Sequence, residues 1–232
     1  MCGKVSLPFA LHETHVKLSY MAFVALLVIP QAFSVMATGT SQQALDALSL
    51  EKYKHLATTK DPSAISAGGY KLDPHHTSVT VKLAHDDLSY YTLRFDDVEG
   101  ALSFDPHTAT ATSISVTINP NSVDTGDMDF NKKIASRYFE ADQYPSITFN
   151  SASAKLSGDH FVIIGVLDFH GVKRPLKLDM TFNGFTTRYG DQTRMGFSGT
   201  ATFNRSNFGV GEYAPLEADK VTLLIETEFE KS

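Results

Sequence analysis

The sequence predicts an all-β fold: an eight-stranded antiparallel barrel with one short inserted helix, preceded by a helical extension. Over residues 70–232, hydrophobic residues recur at every second position, as in strands that bury one face. Turn formers such as Asn183-Gly184 separate these runs. Several amphipathic strands with few helices favour closure into a barrel, because closure removes the exposed sheet edges.

The composition excludes several classes of protein. The chain has 232 residues, with 26 acidic and 20 basic side chains, one cysteine and no tryptophan. A net charge of −6 argues against a nucleic-acid partner, because nucleic-acid binders usually carry a basic excess. The single cysteine, Cys2, excludes an intramolecular disulfide and a zinc site built from cysteines. The fold must therefore be held together by its apolar core.

Residues 1–37 have the pattern of a secretory signal peptide. Lys4 and Lys17 precede an apolar stretch, and that stretch ends at Ala37 in an A-x-A-like cleavage site. Cleavage there would place the protein in a periplasm or outside the cell. The alternative is an uncleaved anchor helix.

Residues 38–69 form a separate segment, which we interpret as a helical extension and linker. Ser41 is a suitable cap, and Leu45 and Leu48 fall on one face of a short amphipathic helix. Asp61-Pro62 and Gly68-Gly69 then interrupt the chain. The helix either packs loosely on the domain or docks on a partner such as a membrane protein.

The barrel domain spans residues 70–232. Its clearest alternating runs are 79–83, 113–118, 176–182 and 221–229. The insert 125–138 places Phe130, Ile134 and Tyr138 at a spacing of four, which predicts the helix. The run 161–169 begins apolar on both faces, so we expect another element to cover its outer face.

The predicted inward face of the strands carries phenylalanine and branched aliphatic residues, with almost no charge. A barrel of this size either fills its interior or holds one small ligand. This interior would accept a long apolar molecule, although a solid core fits the composition equally well. The predicted pocket residues are Val79, Val81, Phe95, Phe104, Ile114, Val116, Phe149, Leu167, Phe182, Phe197, Phe203 and Phe208.

Two arginines are candidates for contact with a polar head group. Arg94 lies between Leu93 and Phe95, and Arg205 follows a strand end. An amphiphile with a phosphate or carboxylate needs a cationic or hydrogen-bonding group at the pocket mouth. The alternative for Arg94 is an ion pair with a neighbouring acidic residue such as Asp96.

Metal and catalytic sites are not predicted. The histidines considered as ligands are His75, His76, His85 and His170. A metal site needs three or four converging ligands, whereas two of these histidines fall at opposite ends of one predicted strand. The acidic pair Asp86-Asp87 falls in a turn and has no apolar surroundings to raise a pKa. We therefore expect no metal, no cofactor and no catalytic residue; an enzyme acting on a buried lipid is the least favoured alternative.

Several short motifs, in order, resemble the YceI-like family of exported bacterial proteins. They include Tyr70-Lys-Leu-Asp-Pro-His-His-Thr-Ser-Val79, Gly165-Val-Leu-Asp-Phe-His-Gly-Val172 and Arg205-Ser-Asn-Phe-Gly-Val210. The resemblance covers residues 70–232. It implies a lipocalin-like barrel that holds an isoprenoid or other long-chain (fatty) amphiphile, without catalytic activity. Homodimers are common among such proteins, so the resemblance also implies a homodimer.

Overall fold

The structure, a computed structural model, describes residues 58–188, 192–214 and 218–232. The predicted signal peptide and the predicted helix of the extension lie outside these residues. No helix in the described segments is both long and apolar enough to cross a membrane.

Eleven strands and one short helix make up the described chain. The strands are β1 (Gly68–Leu72), β2 (Ser78–His85), β3 (Ser89–Phe95), β4 (Val98–Asp105), β5 (Thr110–Ile118), β6 (Val123–Asp124), β7 (Ile147–Lys155), β8 (His160–Phe169), β9 (Val172–Arg188), β10 (Gln192–Asn204) and β11 (Lys220–Lys231). Helix α1 covers Met128–Lys133 and continues as a π-helical turn over Ile134–Tyr138.

Eight antiparallel strands close into a ring in the order β1-β4-β5-β7-β8-β9-β10-β11, and β11 pairs back to β1. The predicted eight-stranded barrel is therefore confirmed. Strands β2, β3 and β6 extend from the other half of β11, where Thr222–Glu226 pairs with Ser78–Lys82. Along β11, β2 thus continues the line of β1 after a bend at Pro74–His76.

The bend between β1 and β2 is held by charged groups. The Asp73 carboxylate accepts hydrogen bonds from the His75 amide at 2.9 Å and from Arg194 Nη1 at 3.1 Å, and it lies 2.6 Å from His76 Nδ1. Arg194 also pairs with Glu228 and Glu230 of β11. This network therefore fixes the bend against both β10 and β11.

Strand β8 shows how the alternation positions the core. Phe161, Ile163 and Leu167 are buried inside the barrel, while Val162, Ile164 and Val166 are exposed on the outer face. The expected cover over the outer face is wrong: Ile164 is 69% exposed, and Val166 is 45% exposed. Branched residues favour the extended backbone even where one face is wet, so their presence does not require a second layer.

The inserted helix packs against one end of the barrel. It begins at Asp127, whose carboxylate accepts the amides of Asp129 and Phe130. Beyond the helix, Phe139 stacks near Phe95 and Phe169, with ring centroids 5.8 and 5.7 Å apart. The insert is therefore anchored by aromatic contacts with strands β3 and β8.

The residues just before β1 also pack on the barrel. Ile65 is 1% exposed, and Thr59 exchanges two backbone hydrogen bonds with Phe185 of β9. Strand β1 begins at Gly68, two residues before the boundary drawn from the sequence at Tyr70.

Candidate ligand-binding site

Two apolar cavities lie inside the barrel. One, of about 230 Å³, lies next to the inserted helix; we call it the helix-side cavity. The other, of about 130 Å³, lies toward the opposite end, and its surface is entirely apolar; we call it the far cavity. Such small, mostly apolar spaces suit hydrocarbon and not polar metabolites.

The two cavities meet at four shared side chains, which we call the waist. The waist residues are Val79, Ile118, Leu167 and Leu223. Along β11, every second residue from Val221 to Phe229 lines one cavity or both. At about 3.3 Å per residue, this path is roughly 26 Å long. The two cavities therefore lie one after the other along β11, over a length that suits a long hydrocarbon chain.

Arg205 supplies a buried cation to the helix-side cavity. It lies in the 3₁₀ turn that follows β10, and only 6% of its surface is exposed. Its Nη1 donates to the carbonyls of Val210 and Glu212 at 2.8 and 2.9 Å, and its Nε donates to that of Ala218 at 3.2 Å. These bonds hold the following loop against the strand end and orient the guanidinium beside the cavity.

Two further polar groups line the same cavity. The Tyr91 hydroxyl is buried, and burial raises the pKa of this phenol, so it stays protonated at neutral pH. His85 lines the cavity from the end of β2, and half of its side chain is exposed. The helix-side cavity therefore reaches the surface at His85, and its polar groups are able to hydrogen bond to a head group.

Ten of the predicted site residues line a cavity. Val81, Phe95, Phe203 and Arg205 line the helix-side cavity; Ile114, Val116, Phe149 and Phe197 line the far cavity; Val79 and Leu167 line both. Contact with a ligand stays a prediction for all ten.

Four predicted site residues lie elsewhere. Arg94 points outward, and its Nε donates to Asp96 at 2.8 Å, which is the alternative weighed from the sequence. Phe104, Phe182 and Phe208 are buried but line neither cavity. Phe182 packs behind Phe197, with ring centroids 5.4 Å apart. The three phenylalanine rings are therefore buried, as the alternation predicts, but they do not border either cavity.

Sequence reasoning missed the contribution of the insert to the site. Phe130, Ile134 and Tyr138, whose spacing predicts the helix, also line the helix-side cavity. Leu223 was missed as well, although it lies in the alternating run of β11. The hydrophobic periodicity includes each of these residues, but periodicity alone does not show which buried side chains border a cavity.

The described residues contain one group with metal-ligand types in proximity: Asp73, His76 and Glu228, whose ligand atoms lie within 4.8 Å of one another. Arg194 already contacts both carboxylates, at 3.1 and 3.4 Å, so a metal ion would have to compete with a guanidinium. Burial alone would raise the pKa of Asp73, but hydrogen bonds from His76 and the His75 amide and the charge of Arg194 lower it overall. This group is an ion-pair network at the bend.

Comparison with known proteins identifies relatives of this chain. A UPF0312 protein of Pseudomonas aeruginosa is 32% identical over 165 residues, which cover 70% of this chain and 86% of the relative. A UPF0312 protein of Shewanella baltica is 35% identical over 153 residues, 64% of this chain and 80% of the relative.

Solved structures share the fold. Burkholderia cenocepacia BcnA superposes with a TM-score of 0.60 at 23% identity, covering 68% of this chain and 98% of that one. The Campylobacter jejuni YCEI protein gives 0.58 at 26% identity, covering 62% and 87%. A polyisoprenoid binding domain from Saccharophagus degradans, implicated in plant cell wall breakdown, gives 0.52 at 15% identity, covering 72% and 100%.

The resemblance noted in the sequence motifs is confirmed by a match to a whole domain. The family model of the YceI-like domain matches residues 70–229, from the first strand of the closed ring to the last. With the lipocalin-like barrel and these relatives together, the chain belongs to the YceI-like family.

Proposed function

We propose that this protein binds an isoprenoid or another long-chain amphiphile and shields its hydrocarbon chain from water inside the barrel. The observation that carries the proposal is the pair of apolar cavities that meet at the waist within a closed ring of strands. The polyisoprenoid binding domain of Saccharophagus degradans, which has the same fold, supports this class of ligand.

Burial of the chain supplies the driving force. Each methylene removed from water contributes about 0.8 kcal/mol, so roughly ten buried carbons would contribute about 8 kcal/mol. A free energy of about −8 kcal/mol corresponds to micromolar affinity, and longer chains offset the cost of ordering the ligand. The protein therefore acts by binding, with no catalytic step in the proposal.

The two cavities imply a direction for the ligand. The far cavity is apolar throughout, whereas Arg205, Tyr91 and His85 line the helix-side cavity. A polar head in the far cavity would lose its hydrogen bonds to water without replacement. The head group therefore lies at the helix side, and the tail passes the waist.

The test is native mass spectrometry of the purified protein with and without added geranylgeraniol, after organic extraction of anything bound during expression. We expect a one-to-one adduct. The variant Val81→Asn places an amide in the cavity wall and should lose the adduct, while Thr80→Asn, on the neighbouring position of the same strand, should keep it. A wild-type protein that takes up no long-chain molecule would contradict the proposal.

Export belongs to the proposal as well. Residues 1–37 would direct the chain to the periplasm or the medium and be removed there. Sequencing the N-terminus of the protein recovered from the periplasm checks this; an intact N-terminus would contradict cleavage.

We also propose that the protein forms a homodimer, as the family resemblance implies. Sedimentation equilibrium checks this directly, and a single monomeric species across the accessible concentration range would contradict it.

A further inference from the structure

Large apolar side chains are exposed around the helix-side end of the barrel. Leu88 is 87% exposed, Met128 is 79% exposed and Tyr90 is 66% exposed; Tyr213 is 44% exposed. We call these four residues the rim. A soluble protein usually exposes large apolar residues singly, so four of them around one end indicate an interaction surface.

The elements that carry the rim also line the helix-side cavity. Leu88 and Tyr90 lie at the β2–β3 hairpin, whose Tyr91 faces the cavity. Met128 opens helix α1, whose Phe130 faces the cavity. Tyr213 lies in the loop after Val210, and Val210 also lines the cavity.

Direct contacts join these three elements. The Tyr91 and Phe130 rings meet edge to face, with centroids 5.8 Å apart. Arg137 at the end of the insert donates to Glu212 at 2.7 Å and to the Tyr213 hydroxyl at 3.1 Å. The hairpin, the insert and the loop that carry the rim are therefore joined to one another at the end where the cavity reaches the surface.

The charges on these elements are of both signs. Lys82 lies 4.0 Å from the centre of the Tyr90 ring, and Lys133 lies 5.4 Å from that of Phe130. The same elements also carry acidic residues, at Asp86-Asp87 in the hairpin and at Asp127 before the helix. Such a mixture gives little attraction to a strongly charged partner. Tyrosines with lysines at their side, among exposed aliphatic groups, suit the interface of a neutral membrane, where lysine stems lie along apolar surface and their ammonium groups stay in water.

We propose that the rim docks on the surface of a zwitterionic phospholipid bilayer and that the bound chain passes directly between the bilayer and the helix-side cavity. This inference rests on the proposed function. Its physical reason is that a chain leaving the barrel into water must expose every methylene, which makes release slow for a long chain. Contact between the rim and the bilayer removes that aqueous step.

A second exposed apolar surface provides the control. Val162, Ile164 and Val166 lie on the outer face of β8 and line neither cavity. If any exposed apolar group were enough for transfer, this stripe would contribute as much as the rim.

The experiment follows transfer of parinaric acid, a fluorescent fatty acid, from the loaded protein to phosphatidylcholine vesicles by stopped flow. We expect the transfer rate to rise in proportion to vesicle concentration. The double variant Leu88→Asp, Met128→Asp should transfer at least about tenfold more slowly at unchanged equilibrium affinity for the probe, because neither residue lines a cavity. Ile164→Asp should transfer like the wild type.

A rate independent of vesicle concentration would overturn the inference, since the chain would then leave through water. An equal loss in Ile164→Asp would overturn it too. If the wild type takes up neither this probe nor geranylgeraniol, the proposed function fails. Flotation with the same vesicles tests the rim whether or not the probe binds. Wild type that floats while the double variant does not supports docking; wild type that stays with the soluble fraction contradicts it.

Discussion

The two cavities of this barrel differ in what surrounds them. The far cavity is enclosed by strands and by short turns, and aromatic rings pack around it: Phe197 has Phe161, Phe182 and Phe229 within 6.1 Å, centroid to centroid. The helix-side cavity is enclosed partly by the insert and by the loop after β10, and it contains the polar groups. One end of the barrel is thus a packed apolar core with a small void, and the other combines apolar walls with polar groups.

This difference separates stability from recognition. Side chains around the far cavity are held by strand register and fully buried neighbours, so changes there should act on folding. Several side chains at the helix side, such as Val81, Tyr91 and Phe203, are only partly buried, so changes to them should act more on the ligand. The first of the four predictions below tests that separation directly.

The largest expected effect is at the far cavity. Phe197→Ala should lower the free energy of unfolding by about 3–5 kcal/mol, because it removes a buried ring and leaves a larger void. Phe203, at the helix side, is only partly buried, so Phe203→Ala should lower the free energy of unfolding by clearly less. Urea unfolding measures both variants; equal losses would remove the difference in packing that we infer between the two ends.

The second-largest expected effect is a difference in stability between variants of Arg205 and Arg94. Arg205→Met leaves three backbone carbonyls without their donor and should destabilise the fold by about 3 kcal/mol. Arg94→Met removes an exposed ion pair and should change stability by less than about 0.5 kcal/mol. Thermal unfolding followed by circular dichroism checks the contrast. A small loss of stability in Arg205→Met would show that water replaces the hydrogen bonds of the guanidinium.

The waist should determine the length of hydrocarbon chain that the barrel binds. Leu223→Phe narrows the junction of the cavities and should weaken binding of a long-chain alcohol about tenfold, or about 1.4 kcal/mol, while a short-chain alcohol still binds at the helix side. Leu224→Phe, the exposed neighbour on the same strand, is the matched control. Calorimetric titration with a homologous series measures the profile; a parallel loss for all lengths would mean that the two cavities do not form one passage.

The smallest effect concerns pH and the bend. The pKa of Asp73 in the folded protein lies below its ordinary value of 3.8, so this carboxylate stabilises the fold above that pH. Its contribution is lost as the pH falls below about 4 and through the folded-state pKa. Asp73→Asn should therefore be about 1 kcal/mol less stable at neutral pH, and the gap to wild type should shrink in acid. Urea unfolding across that range checks this; a constant gap would exclude ionisation of Asp73 as the cause.

The sequence predicted the barrel well because its strands bury one face each. Alternation in runs such as 79–83 and 221–229 specifies which residues point inward, and the spacing of Phe130, Ile134 and Tyr138 specifies the helix. The branch of β2, β3 and β6 from β11 was not predictable in this way. It depends on the bend at Pro74–His76 and on pairings between residues far apart in the chain.

The candidate site was predictable only in part, for a related reason. Periodicity identifies an inward side chain, but whether Phe149 borders a void or Phe104 lies behind the wall depends on how neighbouring strands pack. Arg94 and Arg205 look alike in the sequence, since each lies within two residues of a phenylalanine. Only the fold shows that Arg205 turns inward onto the carbonyls of a loop, while Arg94 faces solvent beside Asp96.

Strand β11 has a consequence for how the barrel folds. It pairs with β10, β2 and β1, and its contacts with β1 join Tyr70 to Lys231 across nearly the whole domain. Contacts so distant in sequence require a long loop to close before they stabilise anything, so they slow folding. The earlier strands can pair as hairpins, but none of those hairpins encloses the two cavities. The enclosed interior therefore arises in a late, cooperative step, when the last strand in chain order meets the first.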